Sequence, residues 1–123
     1  MRNEEHKLQA NCIKWFRMQY PKLAKNLFAV GNQRQCNYKT ANYYKKEGVT
    51  AGVSDCILAV NNNSIPIVFI EFKTIKGKQT ETQKEFQNAM QNQGYAYWII
   101  RDFEAFRSAI ENYVSNKKSG ELL

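Results

Sequence analysis

Histidine, proline and cysteine are scarce in this chain of 123 residues, with one, two and three copies respectively. The three cysteines, Cys12, Cys36 and Cys56, are odd in number and far apart, which excludes a CxxC zinc knuckle and a disulfide framework; they are expected to be reduced. Proline- and serine-rich linkers, repeats and low-complexity tracts are missing too, and with this length their absence argues for one domain over residues 1–123 rather than separate substrate and cofactor lobes. The longest apolar run, near residues 65–72, falls well short of the roughly 18 to 20 residues of a membrane span, and the start MRNEEHKLQ has no signal-peptide core. A soluble intracellular protein with no membrane partner is therefore expected. Acidic residues are also in deficit: 18 Lys and Arg against 11 Asp and Glu leave a net charge of +7, which favours an anionic partner, nucleic acid first. What is present is ample core material, 43% hydrophobic and 13% aromatic, which excludes wholesale disorder.

Leu8, Cys12, Ile13, Trp15, Phe16 and Tyr20 recur at three- and four-residue steps, predicting a helix over residues 4–20 that Pro21 stops. A short strand over 27–30 ends at Gly31-Asn32, and residues 33–47 read as a loop with a helical turn before Gly48. Residues 55–60 and 65–72 are β-branched and apolar on either side of an Asn-rich turn, so they predict a β-hairpin. Thr80-Glu81-Thr82-Gln83 has the form of a capping box, opening a helix with Phe86, Ala89 and Met90 on one stripe and Gly94 as its stop. A strand over 95–100 follows, then a helix capped by Asp102 with Phe103, Phe106, Ile110, Tyr113 and Val114 inward, and a frayed tail over 115–123. The order predicts an α/β fold, a central mixed sheet flanked by helices that bury the apolar strand 65–72 on both faces.

Within that apolar strand lie two charges, Glu71 and Lys73, on one face by period-two alternation. If Asn62, Asn63 and Ser64 form the hairpin loop, Asn61 faces Ile65 and the register brings Asp55 opposite Glu71. Two carboxylates about 5 Å apart repel by roughly 3 kcal/mol at an effective dielectric near 20, so a cation between them is expected. Their hardness and small number suit Mg²⁺ or Mn²⁺, with the Phe72 carbonyl as a third ligand. Lys73 would then hold an attacking water or offset charge growing on a phosphate, the working set of a nuclease that needs no histidine, in keeping with a single His6 on a helix surface. Against this, Glu-x-Lys is frequent in lysine-rich proteins, Asp55 after Gly52-Val53-Ser54 also fits an ordinary turn, and a loop longer by one residue would turn the pair out of contact.

The run Gly48-Val49-Thr50-Ala51-Gly52-Val53-Ser54-Asp55, then Glu71-Phe72-Lys73, Gln83 and Gly94-Tyr95, resembles the virus-type replication-repair nuclease (VRR-Nuc) domain of the PD-(D/E)xK superfamily. Glu5 with Gln9 matches that family's opening helix, and the resemblance spans nearly the whole chain; Ser54 stands where the family usually has proline. The resemblance implies a small restriction-endonuclease-like fold and metal-dependent hydrolysis of DNA phosphodiesters, with Asp55, Glu71 and Lys73 as the catalytic triplet. It further implies a phage or viral protein acting as a homodimer on branched DNA such as four-way junctions, where twofold symmetry suits paired cuts, and a place in the cytoplasm of a phage-infected or bacterial cell is expected.

Other residues carry two readings each. Glu5 is placed to approach the metal, yet a Glu in a first helical turn also suits the macrodipole. Gln83 is placed to orient phosphate or water, and equally serves as the capping partner of Thr80. Lys45, Lys46, Lys76 and Lys78 flank the site in sequence and suit phosphate contacts, or are simply solvated. Tyr38, Tyr43 and Tyr44 suit base stacking, a partner subunit or burial against the sheet. Cys12, Cys56, Trp15 and Trp98 are read as packing residues. The rival functions are a sequence-specific restriction or nicking enzyme on the same fold, and a non-catalytic DNA-binding module.

Overall fold

The computed structural model describes residues 2–31 and 38–115. Helix α1 (Arg2–Gln19) ends where the Tyr20 amide donates to the Phe16 carbonyl, and a 3-10 turn over Pro21–Asn26 begins with the proline at its first position. The sequence reading passed over that turn, although a proline at a first helical position marks one. The sheet follows: β1 (Leu27–Ala29), β2 (Cys56–Leu58), β3 (Val68–Phe72) and β4 (Ala96–Ile100), in that spatial order among the described residues. The first three pair antiparallel, and β4 lies parallel to β3, reached through α3 (Glu81–Asn92); α4 (Phe103–Ser115) closes the described chain.

Two expectations change in detail. Residues 38–46, read as loop with one helical turn, form helix α2 (Tyr38–Lys46), which Gly48 ends at φ +101°. The short polar sequence YKTANYYKK has too few apolar residues to reveal a helix by periodicity. The hairpin strands are also shorter than 55–60 and 65–72. Pro66 has no amide to offer a ladder, and the Asn62 side-chain oxygen takes the amides of Ser64 and Ile65 instead, while Asn63 sits at φ 82°. The expected Asn61–Ile65 pairing thus gives way to an Asn62 amide donating to the Ile65 carbonyl. The Tyr113 hydroxyl reaches the Val60 and Ile65 carbonyls, tying α4 to this turn. The register survives: Cys56 pairs with Ile70 and Leu58 with Val68.

Every residue of β3 is buried. Val68, Ile70 and Phe72 face a core shared with Cys12 and Phe16 of α1 and Phe106 and Ile110 of α4. Phe16, Phe72 and Phe106 are among its largest fully buried side chains, each contributing about 1.5–3 kcal/mol. Trp15 and Trp98 pack against the same core, as expected. The opposite face of β3 meets α3, where Phe69 stacks edge-on against Phe86 at 5.5 Å. Among the described residues no helix is long and apolar enough to cross a membrane. The expectation of a frayed tail falls beyond Ser115 outside the described residues, as do Cys36 and the Tyr38 side chain.

Candidate active site

One step beyond the Cys56–Ile70 pair, Asp55 comes opposite Glu71. β2 has ended there, and the Asp55 carboxylate replaces the next ladder bond: its Oδ2 accepts the Phe72 amide at 2.7 Å. The N–H and C=O of a strand residue point to the same side, so the Phe72 carbonyl leaves β3 on the Asp55 side. The Asp55 carbonyl in turn takes the Val30 amide at 2.8 Å, extending the β1–β2 pairing by one bond.

The approach to Asp55 depends on Gly52. It sits at φ +83°, and a Cβ there would lie 2.2 Å from the Thr82 carbonyl oxygen, so the loop backbone is laid directly on the first turn of α3. Ser54, where the resemblance expects proline, is buried and donates its hydroxyl to the Cys56 carbonyl at 3.1 Å. That bond restrains the turn locally, as a proline ring would do by fixing φ. Between loop and helix opens a cleft of about 550 Å³ whose lining includes Lys45, Gly52, Asp55, Thr80 and Gln83.

Glu71 is 1% exposed and Lys73 8%, both on the α3 face of β3. Glu71 Oε1 accepts two hydrogen bonds, from the Tyr97 hydroxyl at 2.6 Å and from Gln79 Nε2 at 3.0 Å. Its Oε2 is buried without a hydrogen-bond partner, and Lys73 Nζ lies 3.7 Å from it, an ion pair rather than a hydrogen bond. Burial, reinforced by the bond to Glu71, pushes the Tyr97 phenol well above its ordinary value, so Tyr97 remains a donor to the carboxylate.

A buried carboxylate oxygen that accepts no hydrogen bond, with only an ion pair at 3.7 Å, is incompletely compensated and keeps lone pairs for a metal ion. Hard oxygen donors from Asp55 and Glu71, with the Phe72 carbonyl alongside, fit a divalent ion such as Mg²⁺ or Mn²⁺. Among the described residues no group of three or more His, Cys, Asp or Glu side chains gathers in metal-holding geometry, so Glu5, half-buried in the first turn of α1, does not join the two carboxylates here.

Gln83 completes the capping box: its amide donates to Thr80 Oγ1 at 3.2 Å and its Oε1 accepts the Thr80 amide at 2.8 Å, while the residue also lines the cleft. Lys45, Lys46, Lys76 and Lys78 are exposed, with Lys45 at the cleft. Tyr43 is exposed and stacks edge-on against the half-buried Tyr44 at 5.6 Å, and His6 is exposed on α1. Sequence reasoning passed over Gln79, Tyr97 and Arg101. Arg101 Nη1 donates to the Thr74, Ile75 and Gly77 carbonyls and so clamps the loop leaving β3. Polar residues next to apolar strands carried the only signal, and it does not say which partner lies across the sheet.

No family model matches the chain, and no curated protein matches it. Among solved structures it is similar to one described as a VRR_NUC domain protein, with a TM-score of 0.79 and 22% identity over 93% of this chain and 90% of that one. At that identity the likeness is one of fold. The chain therefore shares the fold of that protein, a four-stranded mixed sheet flanked by helices.

Proposed function

We propose that the protein is a Mg²⁺- or Mn²⁺-dependent endodeoxyribonuclease that hydrolyses phosphodiesters in branched DNA such as four-way junctions, acting as a homodimer. The observation that carries the nuclease reading is the buried Oε2 of Glu71, which accepts no hydrogen bond and is ion-paired with Lys73 at 3.7 Å, with Asp55 opposite in register. The fold shared with a VRR_NUC domain protein supports it. The preference for branched DNA and the dimer rest on the sequence motifs that resemble the VRR-Nuc family.

Asp55, Glu71 and the Phe72 carbonyl would hold the ion. When bound, the ion lowers the pKa of coordinated water and polarises the scissile phosphate. Lys73 supplies a buried ammonium that orients the attacking water and offsets the negative charge that grows on the phosphate oxygens. Its burial matters, because the same charge in bulk solvent would be strongly screened. Gln83, held through its Oε1 in the capping box, lines the cleft and keeps its Nε2 donor for phosphate or water. Exposed Lys45, Lys46, Lys76 and Lys78 bind phosphates away from the cut, setting register rather than rate.

The test is a panel of end-labelled linear, nicked, flapped and four-way DNA incubated with Mg²⁺, Mn²⁺ or EDTA. Metal-dependent cuts near the branch point are expected. Discrete fragments from linear duplex would instead indicate a sequence-specific enzyme, and binding without any cleavage would leave a DNA-binding module.

A further inference from the structure

The two oxygens of Glu71 are treated unequally. Oε1 is saturated by the Tyr97 hydroxyl and Gln79 Nε2, and Gln79 is itself fixed by Gln87 Oε1, which its Nε2 reaches at 2.9 Å. Oε2 has no hydrogen-bond partner at all. Tyr97 comes from β4, Gln79 from the loop before α3 and Gln87 from α3 itself, so two segments supply the donors to one oxygen and a third fixes one of those donors. At 1% exposure the carboxylate cannot trade these donors for water.

We propose that Tyr97 and Gln79 are positioning residues that keep Glu71 a one-oxygen ligand and thereby make the site prefer Mg²⁺ to Ca²⁺. This rests on the metal-site reading above. Ca²⁺ takes about six to eight oxygens at about 2.3–2.6 Å and commonly grips both oxygens of a carboxylate, whereas Mg²⁺ demands six at about 2.0–2.1 Å and accepts single oxygens plus water. With Oε1 held by a phenol and an amide, two-oxygen grip requires breaking charge-assisted hydrogen bonds, a cost that falls on Ca²⁺ alone. Removing the donors abolishes that cost and lets the carboxylate turn.

The experiment follows the thermal midpoint of the DNA-free full chain through titrations of MgCl₂ and of CaCl₂, from which apparent affinities follow by linkage. Wild type, Tyr97→Phe, Gln79→Ala, their double variant and Glu71→Gln are compared. In the double variant the Ca²⁺-to-Mg²⁺ affinity ratio is expected to rise about tenfold, the equivalent of one hydrogen bond to a charged group, with each single variant in between. Should Tyr97→Phe fail to fold, Gln79→Ala decides, since Gln79 lies half-buried in a loop. An unchanged ratio, with wild type binding Mg²⁺ and Glu71→Gln not, overturns the positioning role and leaves the nuclease reading standing. A wild type that Mg²⁺ does not stabilise at any concentration overturns both.

Discussion

Asp55 and Glu71 face one another as like charges, and the Lys73 ammonium offsets only part of that repulsion. Asp55→Asn keeps an acceptor for the Phe72 amide while removing one of two facing charges. Cleavage is expected to be lost, and the thermal midpoint in EDTA to rise by the equivalent of about 1 kcal/mol, a fraction of the full repulsion because solvent and Lys73 already screen it. Lys73→Ala works in the opposite direction on stability. It leaves the Glu71 carboxylate buried without its ion-pair partner at 3.7 Å, so a loss of about 3 kcal/mol in denaturant melts is expected together with loss of cleavage, and Mg²⁺ should restore part of it. Two variants that both lack activity but move stability oppositely would separate the electrostatics of the site from general damage.

The loop over residues 48–54 and helix α3 act as one unit, because Gly52 lets the loop lie on the backbone of Thr82 and Gln83. Gly52→Ala meets both a disfavoured positive φ and a carbonyl at 2.2 Å, whereas Gly94→Ala meets a positive φ of +89° with nothing within 4 Å. Urea unfolding should therefore show about 1–2 kcal/mol lost at Gly94 and clearly more at Gly52. Gly52→Ala alone is expected to weaken Mg²⁺ binding, since the displaced loop carries Asp55 with it. The capping box was legible from Thr80 and Gln83 because all its partners lie within one turn. The hairpin register was read from an assumed three-residue turn at Asn62, Asn63 and Ser64, and the Cys56–Ile70 and Leu58–Val68 pairs keep it although both strands stop short of that turn.

Across the whole molecule, two thiols link stability to alkaline pH. Burial pushes Cys12 and Cys56 up from 9.0 to about 12, each with a nearby carboxylate adding to the shift. A raised folded-state value means that this contribution is intact below pH 9 and is lost as pH climbs towards 12. Stability is thus expected to fall by about 1.4 kcal/mol per pH unit for each thiol across that window, and the Cys12→Ala/Cys56→Ala variant should lose the part of the fall between pH 9 and 10, below the ordinary tyrosine range. The net charge of +7 sets a second global behaviour: DNA affinity should drop linearly on a log–log plot against salt, and replacing Lys76 and Lys78 by alanine should shallow the slope by about 2. Periodicity and capping signals were enough to determine an α/β chain and its helices α1, α3 and α4, because those features depend on local spacing, whereas the facing of Asp55 and Glu71 hung on the length assumed for the turn between their strands. Helix α2 escaped because its residues carry too weak an apolar pattern. The convergence of Tyr97 and Gln79 on one oxygen, with Gln87 holding Gln79, the clamp of Arg101 on the loop after β3 and the pin of Tyr113 on the hairpin turn join residues far apart in the chain, and only the packed sheet and helices decide which distant polar groups meet.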